Sequence, residues 1–552
     1  MKRNGQPSTI IAHMGHGAHA IADNAPNAEE LSHEGWTKLS DAAQSFAAGT
    51  TDFDYLFPEL VGKPDAHLPA GSEDEVNTTV AALNALGNAM IDQEPPADDR
   101  SSPIPPVYTY WGQFVDHDLT AATDNDSVIS IRDTPLPPLD PDQVRDLLKN
   151  ARNPALNLDS VYGDGPFAPQ PADPAQIAVP YQTEDRAKLR VGALTPVEVG
   201  VRIPPVDDLA RDLPRRADKV PLVGDARNDE NLVVGQLHVA FLRFHNAAVD
   251  WVRVNEPQRS GLSDVFLRAR DLTRWTYQWL CVHDFLRTIT VPDVVDFVLG
   301  GDSGLLDRVY MPLEFSVAAY RFGHSMVRGA YDWNRNFGRP GNNTLPDASL
   351  ALLFRFTGVG GLGNNPTLPS NWPIEWNRFV DKDSLFADRF ARRIDTHLSL
   401  PLSQMVNQSA GETGTPDLIA LLRHLARRNL LRGYRLNLPT GQAVADELGL
   451  PQLTADEIAG DDPVATAVRQ GGFDTRTPLW FYVLRESEVK AQGNALGALG
   501  SRVVAETLIG QLRLDPSSYL RQSSWSPSQG VLLPDGSPVD TIPAFLRFAG
   551  VL

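Results

Sequence analysis

WGQFVDHDLT occupies residues 111–120, and its reading organises the rest of the chain. On a helix turning about 100° per residue, Gln113, Asp116 and His117 share one face, whereas Asp118 lies about 200° from Asp116 and points largely the other way. A buried histidine with a carboxylate on each side is costly unless every charge has a partner. The stretch therefore implies two adjoining sites: a pocket that uses Asp116 and His117, and a cation site behind it that uses Asp118. As an isolated motif it also fits a capped amphipathic helix with a satisfied histidine, so the remaining motifs decide between the two.

The chain has 552 residues, enough for one large core or a divided one. Hydrophobic residues make up 42% and charged residues 21%, which is globular composition. A net charge of −20 argues against nucleic acid and anionic membrane surfaces as partners. Cys281 is the one cysteine, so an internal disulfide is excluded, and its tryptophan-rich surroundings read as inert core. The first residues, MKRNGQPSTIIAHMGHGAHAI, lack a continuous apolar core and a small-residue cleavage site. The expectation is no classical signal peptide, a cytoplasmic location or export by another route, and no membrane span.

Residues 1–75 read as an N-terminal arm packed on or preceding a domain that spans 76–552. In the arm, His13, His16 and His19 lack a metal-site pattern. Periodicity predicts helices over 77–91 (with Asn77 as cap), 231–254, 264–289, 312–328, 416–433 and 498–514, the 264–289 helix being apolar nearly all round. Proline-rich connections at 94–106, 134–144 and 166–176 separate them, and β-branched runs such as IAVPYQT (177–183) suggest minor hairpins. The fold class expected is mainly α: a single large helical domain with long loops and minor β.

Four further motifs follow in order. NPALNLDSVYGDG (153–165) sets oxygen ligands at alternate positions before a glycine turn, a pattern that suits a hard cation such as calcium or an Asx-rich turn satisfying its own backbone. GDARNDENLVVG (224–235) offers Arg227 and Glu230, a spacing that also fits a surface ion pair. AAYRFGHSMVRG (318–329) places His324 after a glycine, and LARRNLLRGYRLNLPTGQ (425–442) carries Asn429, Arg432 and Pro439 or is an ordinary basic helix end.

Taken together the five motifs resemble those of the animal-type haem peroxidases, the peroxidase–cyclooxygenase superfamily, and PLWFYVLRESEV with the segment ending at 510 is similar to its bacterial members. The resemblance implies a haem b enzyme that reduces hydrogen peroxide and oxidises a halide or small organic donor through a ferryl intermediate. It makes His117, Arg227 and Gln113 the catalytic set, His324 the axial iron ligand, Asn429 the acceptor of its Nδ1 proton, and Arg432 and Arg321 haem-binding residues. Asp116 and Glu230 are implied as ester links to haem methyl groups. Asn231 stands where one mammalian member has a methionine that forms a sulfonium link, which excludes that bond. Ca2+ is implied at Asp118, Asn153, the Ala155 carbonyl, Asn157 and Asp159; Asn153 and Asn157 replace the usual threonine and aspartate. His238 and His245 match no family ligand and read as structural.

Three readings stay open at this point: a haem peroxidase, a fatty-acid dioxygenase on the same fold, and a non-enzymatic helical scaffold. Arg321 occupies the position where the dioxygenases carry their radical tyrosine, and Tyr320 falls one residue off, in a different helical direction. That favours the peroxidase. The oligomeric state is left open.

Overall fold

A computed structural model describes residues 51–552 apart from 93–99, 122–129, 151, 164–179, 198–207, 302–303, 338–347, 359–360, 381–389, 406–413 and 523–524. The three arm histidines, residues 94–99 of the 94–106 connection, the 166–176 connection and residues 177–179 therefore lie outside the described residues.

Helix α1, Glu73–Ala89, starts four residues before the expected position. Ser72 accepts a hydrogen bond from the Glu75 amide, and three acids in the first turn complement the helix dipole, so Asn77 is interior rather than a cap. Helix α2, Pro106–Leu119, carries the central motif. Proline at its first position loses nothing, since that amide has no helical partner. Helix α3, Leu232–Asn255, is capped by Asn231, whose side chain accepts from the Val234 amide.

Helix α4, Leu262–Leu280, does not run straight to 289: a π turn, Cys281–Leu286, interrupts it before Arg287–Ile289. Nor is it buried all round, since Leu262 and Leu267 are about two-fifths exposed. The expected helix at 312–328 is instead a π turn, Glu314–Ala318, running into a tight 3-10 stretch, Ala319–His324. The 416–433 segment breaks at His424 into Pro416–Arg423 and helix α5, Leu425–Arg435. Helices α6, Leu479–Ala491, and α7, Ala498–Leu514, complete the frame. None of the described helices is long and apolar enough to cross a membrane.

Tyr181 bridges Leu189, a single bridge where a hairpin is expected. Strand β1, Thr51–Asp54, runs antiparallel to β2, Lys149–Asn150, and parallel to β3, Met311–Pro312, pairing Asp54 with Pro312. The core is aromatic where α2, α3 and α4 meet. Phe114 stacks on Phe241 at 4.4 Å, and Trp111 touches Phe241, Tyr277 and Phe545.

Glu314 lies in this core fully buried, its Oε2 accepting from the Leu56 amide at 2.7 Å, which fastens the segment after β1. Burial pushes its carboxyl up to about 7 from 4.5. The folded state thus binds this proton more tightly than the unfolded chain. The stability it contributes is complete below the unfolded value and is lost as pH rises through about 7. Urea unfolding of wild type and Glu314→Gln at about pH 5 and about pH 8 should show the wild type losing roughly 3 kcal/mol relative to the variant across that interval. Parallel losses would assign the pH dependence to other groups.

Candidate active site

A partly open, largely apolar cavity lies between the two motif-bearing segments. Tyr108, Gly112 and Gln113 of α2 and Asn231 at the start of α3 form one wall. Tyr320, Gly323 and His324 form the opposite one, and Leu350, Phe354, Leu402, Met405 and Leu425 close the rest. A Cβ added at Gly323 would meet no protein atom within 4 Å, so the room it leaves opens into this cavity rather than into packing.

Behind the α2 wall sits a connected polar layer. Gln113 donates to Glu230 Oε1 and accepts from Asn231 Nδ2 at 3.0 Å. His117, buried to 1% exposure, has Nε2 at 3.5 Å from Glu230 Oε1. Its Nδ1 faces Asn228 Oδ1 at 2.9 Å, and because a carbonyl oxygen only accepts, Nδ1 carries a proton, which leaves Nε2, turned toward Glu230, as the nitrogen that can gain or lose one. Asn228 is held in that orientation by His238, whose Nδ1 accepts from its Nδ2 at 2.9 Å. Burial holds His238 down at about 3, so it stays neutral and can accept. Asn228 and His238 thus set the tautomer of His117. His238 read as merely structural in the sequence, and no spacing rule points to Asn228. His245 is satisfied by the Tyr162 hydroxyl and the Ala187 carbonyl. Burial raises the Glu230 carboxyl, against the lowering pull of His117 and Arg227.

Arg227 does not face the cavity. Its guanidinium bonds the Asp225 carboxylate at 2.7 Å and the His117 carbonyl at 2.9 Å, gripping the C-terminal end of α2 as a cation should. The expected position beside His117 is kept, but the side chain is drawn away by Asp225. Asp116 is buried at 1% exposure, on the same layer, with Oδ1 accepting from Thr120 Oγ1.

Across the cavity, His324 Nδ1 is 2.8 Å from Asn429 Nδ2. This differs from the expected acceptor role. Arg321 Nη1, which can only donate, takes Asn429 Oδ1 at 2.7 Å and so turns the amide nitrogen toward the histidine. Arg321, Arg428 and Arg432 are all buried, and burial together with the other two cations pushes Arg321 well below its usual range. Tyr320 lines the same cavity as His324, with its hydroxyl on the Gly112 carbonyl at 3.1 Å. Tyr320 and His324, four residues apart, thus face the same cavity.

On the far side of α2, Asp118 accepts from the Leu158 amide at 3.0 Å and from Ser160, as a residue pointing away from the pocket should. It is fully buried, and burial plus the neighbouring Asp159 carboxylate push it up to about 7. Leu156 and Leu158 have φ of 51° and 62°, a strained backbone for leucine. Other members of the expected set are engaged elsewhere: the Ala155 carbonyl accepts from Gln278, Asn157 Oδ1 accepts from the Asp159 amide, and Asn153 is exposed.

Residues 182–352 match the animal haem peroxidase family, a segment that includes Arg227, Glu230 and His324. A peroxidase-like protein of Margaritifera margaritifera is 33% identical over 129 residues, a stretch of 22% of this chain and only 16% of that protein. In fold the chain resembles peroxidase A of Dictyostelium discoideum, with TM-score 0.54, 17% identity and 84% and 88% of the two chains covered. It also resembles the fatty acid alpha-dioxygenase of Oryza sativa, with TM-score 0.54, 14% identity and 95% and 88% covered.

Proposed function

We infer that the chain is a haem peroxidase of the animal type: it reduces hydrogen peroxide and oxidises a halide or a small organic donor. The observation that carries this reading is the cavity set between His324 and the Gln113–Asn231 wall, with the His117–Glu230 pair directly behind that wall. Its apolar walls and the open face at Gly323 fit a planar iron macrocycle. His324 would hold the iron, with Arg321 and Arg432 on the macrocycle's anionic groups. When bound, haem b supplies the iron centre on which peroxide is reduced and from which donors are oxidised.

The chain's own residues then manage protons. His117 Nε2, left by the Asn228 bond as the nitrogen that can gain or lose a proton, takes one from peroxide and returns it to the leaving oxygen. Glu230 stabilises the imidazolium between those two moments, and Gln113 with Asn231 orients the small reactant at the wall. Arg227 acts by fixing the end of α2 that carries His117. To hold the iron His324 would offer its Nε2 lone pair, for which Asn429 would present its oxygen to Nδ1 and Arg321 would release it.

Asp116 and Glu230 are the carboxylates proposed to form ester links. The test is to add haem and a little peroxide, record the Soret spectrum, then denature in acid and extract. A ferric haem spectrum with haem retained on the polypeptide supports both claims. Full extraction removes the esters and keeps the peroxidase, and no haem uptake overturns the reading.

Calcium is proposed between Asp118 and Asp159, with the Ala155 carbonyl, Asn157 and Asn153 completing the set. The buried Asp118 carboxyl beside the partly exposed Asp159 carboxylate, together with the strained loop, supports it. Binding to the folded state at a hundredfold excess over Kd stabilises by about 2.7 kcal/mol, so a calcium chelator should lower Tm by several degrees and added calcium restore it. An unchanged Tm would leave the loop self-satisfied.

Tyr320 and the apolar cavity end favour a second reading, oxygenation of a fatty acid. Oxygen uptake with linoleate and only a trace of peroxide would establish it.

A further inference from the structure

Two tyrosines have their hydroxyls on proton acceptors carried by one π turn. Tyr108 lines the cavity, and its hydroxyl donates to Asp284 Oδ1 at 2.6 Å. The Tyr519 hydroxyl lies 2.9 Å from His283 Nε2. Burial, then Arg287, hold His283 down at about 4, so its ring is neutral and accepts. Trp279 stacks on His283, with ring centres 3.8 Å apart, and stands 5.6 Å from Tyr519 and 6.3 Å from Trp525. Trp525 is 5.7 Å from Trp275. Trp275, Trp279 and Trp525 are half-buried, whereas Trp111 and Trp333 are fully enclosed.

A phenol gives up an electron readily only if its proton can leave at the same moment, and both tyrosines have that exit in place. An indole gives up an electron without such help. The acceptors His283 and Asp284 are adjacent in the π turn Cys281–Leu286, an irregularity often found at functional sites. The oxidisable side chains therefore run in order from the cavity wall to the surface.

Resting on the peroxidase reading, we propose that Tyr108, Tyr519 and the Trp279–Trp525–Trp275 group relay electrons inward, so that a phenol carried on a polymer too large for the cavity is oxidised at the Trp275–Trp525 face. Each donor phenol loses one electron there and its proton goes to solvent. The electron refills the tryptophan group, then Tyr519, then Tyr108, and ends on haem that hydrogen peroxide has oxidised. While oxidised, Tyr519 lends its proton to His283 and Tyr108 lends its proton to Asp284, and each recovers it on reduction. Two donors balance one hydrogen peroxide, which takes two electrons and two protons and leaves as two waters.

The test compares the haem-loaded wild type with Tyr519→Phe and Trp525→Phe. Oxidation of a free phenol should stay within about twofold in both variants, while oxidation of the same phenol coupled to dextran should fall by about tenfold or more. A second readout needs no donor. After brief peroxide treatment, peptide mass spectrometry should find oxidised Trp275 and Trp525 in wild type and far less oxidised Trp275 in Tyr519→Phe. Dextran–phenol oxidation that matches wild type in both variants, or Trp275 oxidation that does not depend on Tyr519, overturns the relay. A wild type active on free phenol but inactive on the dextran conjugate overturns the relay alone. A wild type that binds haem yet oxidises neither donor removes the peroxidase reading with it.

Discussion

His117→Gln should slow the consumption of peroxide by roughly 10²–10⁴-fold while leaving haem uptake intact, because it removes a positioned general base and little else. The side chain is buried, with Nδ1 fixed on Asn228 and Nε2 turned toward Glu230. Glutamine keeps a polar group in the layer but offers no basic nitrogen. Stopped-flow measurement of the peroxide-dependent change in the Soret band reads the step directly. Asn228→Val should cost less, about 10–100-fold, since the imidazole survives and only its tautomer is released. A His117→Gln rate within about threefold of wild type would hand the proton-transfer role to Glu230.

Trp111→Ala should destabilise the fold by about 3–5 kcal/mol, the range for deleting a large aromatic from a core that collapses only in part. Trp111 is fully buried and sits against Phe241 of α3, Tyr277 of α4 and Phe545, with ring centres 5.5–5.8 Å apart. Its removal unseats three elements at once. It is also the neighbour of Gly112 in the cavity wall, so haem retention should weaken together with stability. Urea unfolding and the Soret band of the same samples measure both effects. A loss below about 1 kcal/mol would mean that the surrounding rings close the gap.

What the sequence made legible follows the regularity of the backbone. Gln113, Asp116, His117 and Asp118 lie on a regular helix, so simple periodicity separates the residue that reaches the cavity from the one that reaches the 153–160 loop. The same holds for α3 and α7, whose bounds nearly coincide with the apolar pattern. Where the chain winds as π or 3-10 turns, the pattern misleads. The apolar spacing of 312–328 reads as one helix, whereas residues 314–324 wind as a π turn and a 3-10 stretch. Side-chain direction is a further layer that spacing does not encode. Arg227 stands where the motif predicts, yet Asp225, two residues earlier, captures its guanidinium. The amide of Asn429 is likewise turned by Arg321, a residue 108 positions away in the chain.

Strand β1 also sets a schedule for the nascent chain. Its parallel partner is Met311–Pro312, and the amide of Leu56 waits for a carboxylate 258 residues downstream. At ~5–20 residues per second of synthesis, roughly 10–50 s separate the emergence of the two partners. Throughout that interval Phe53, Tyr55, Leu56 and Phe57, all buried in the finished protein, have only the 145–150 segment of their native surroundings to pack against. A ribosome-bound chain stalled before residue 311 should therefore recruit holdase chaperones through this short segment, and one released past residue 320 should not.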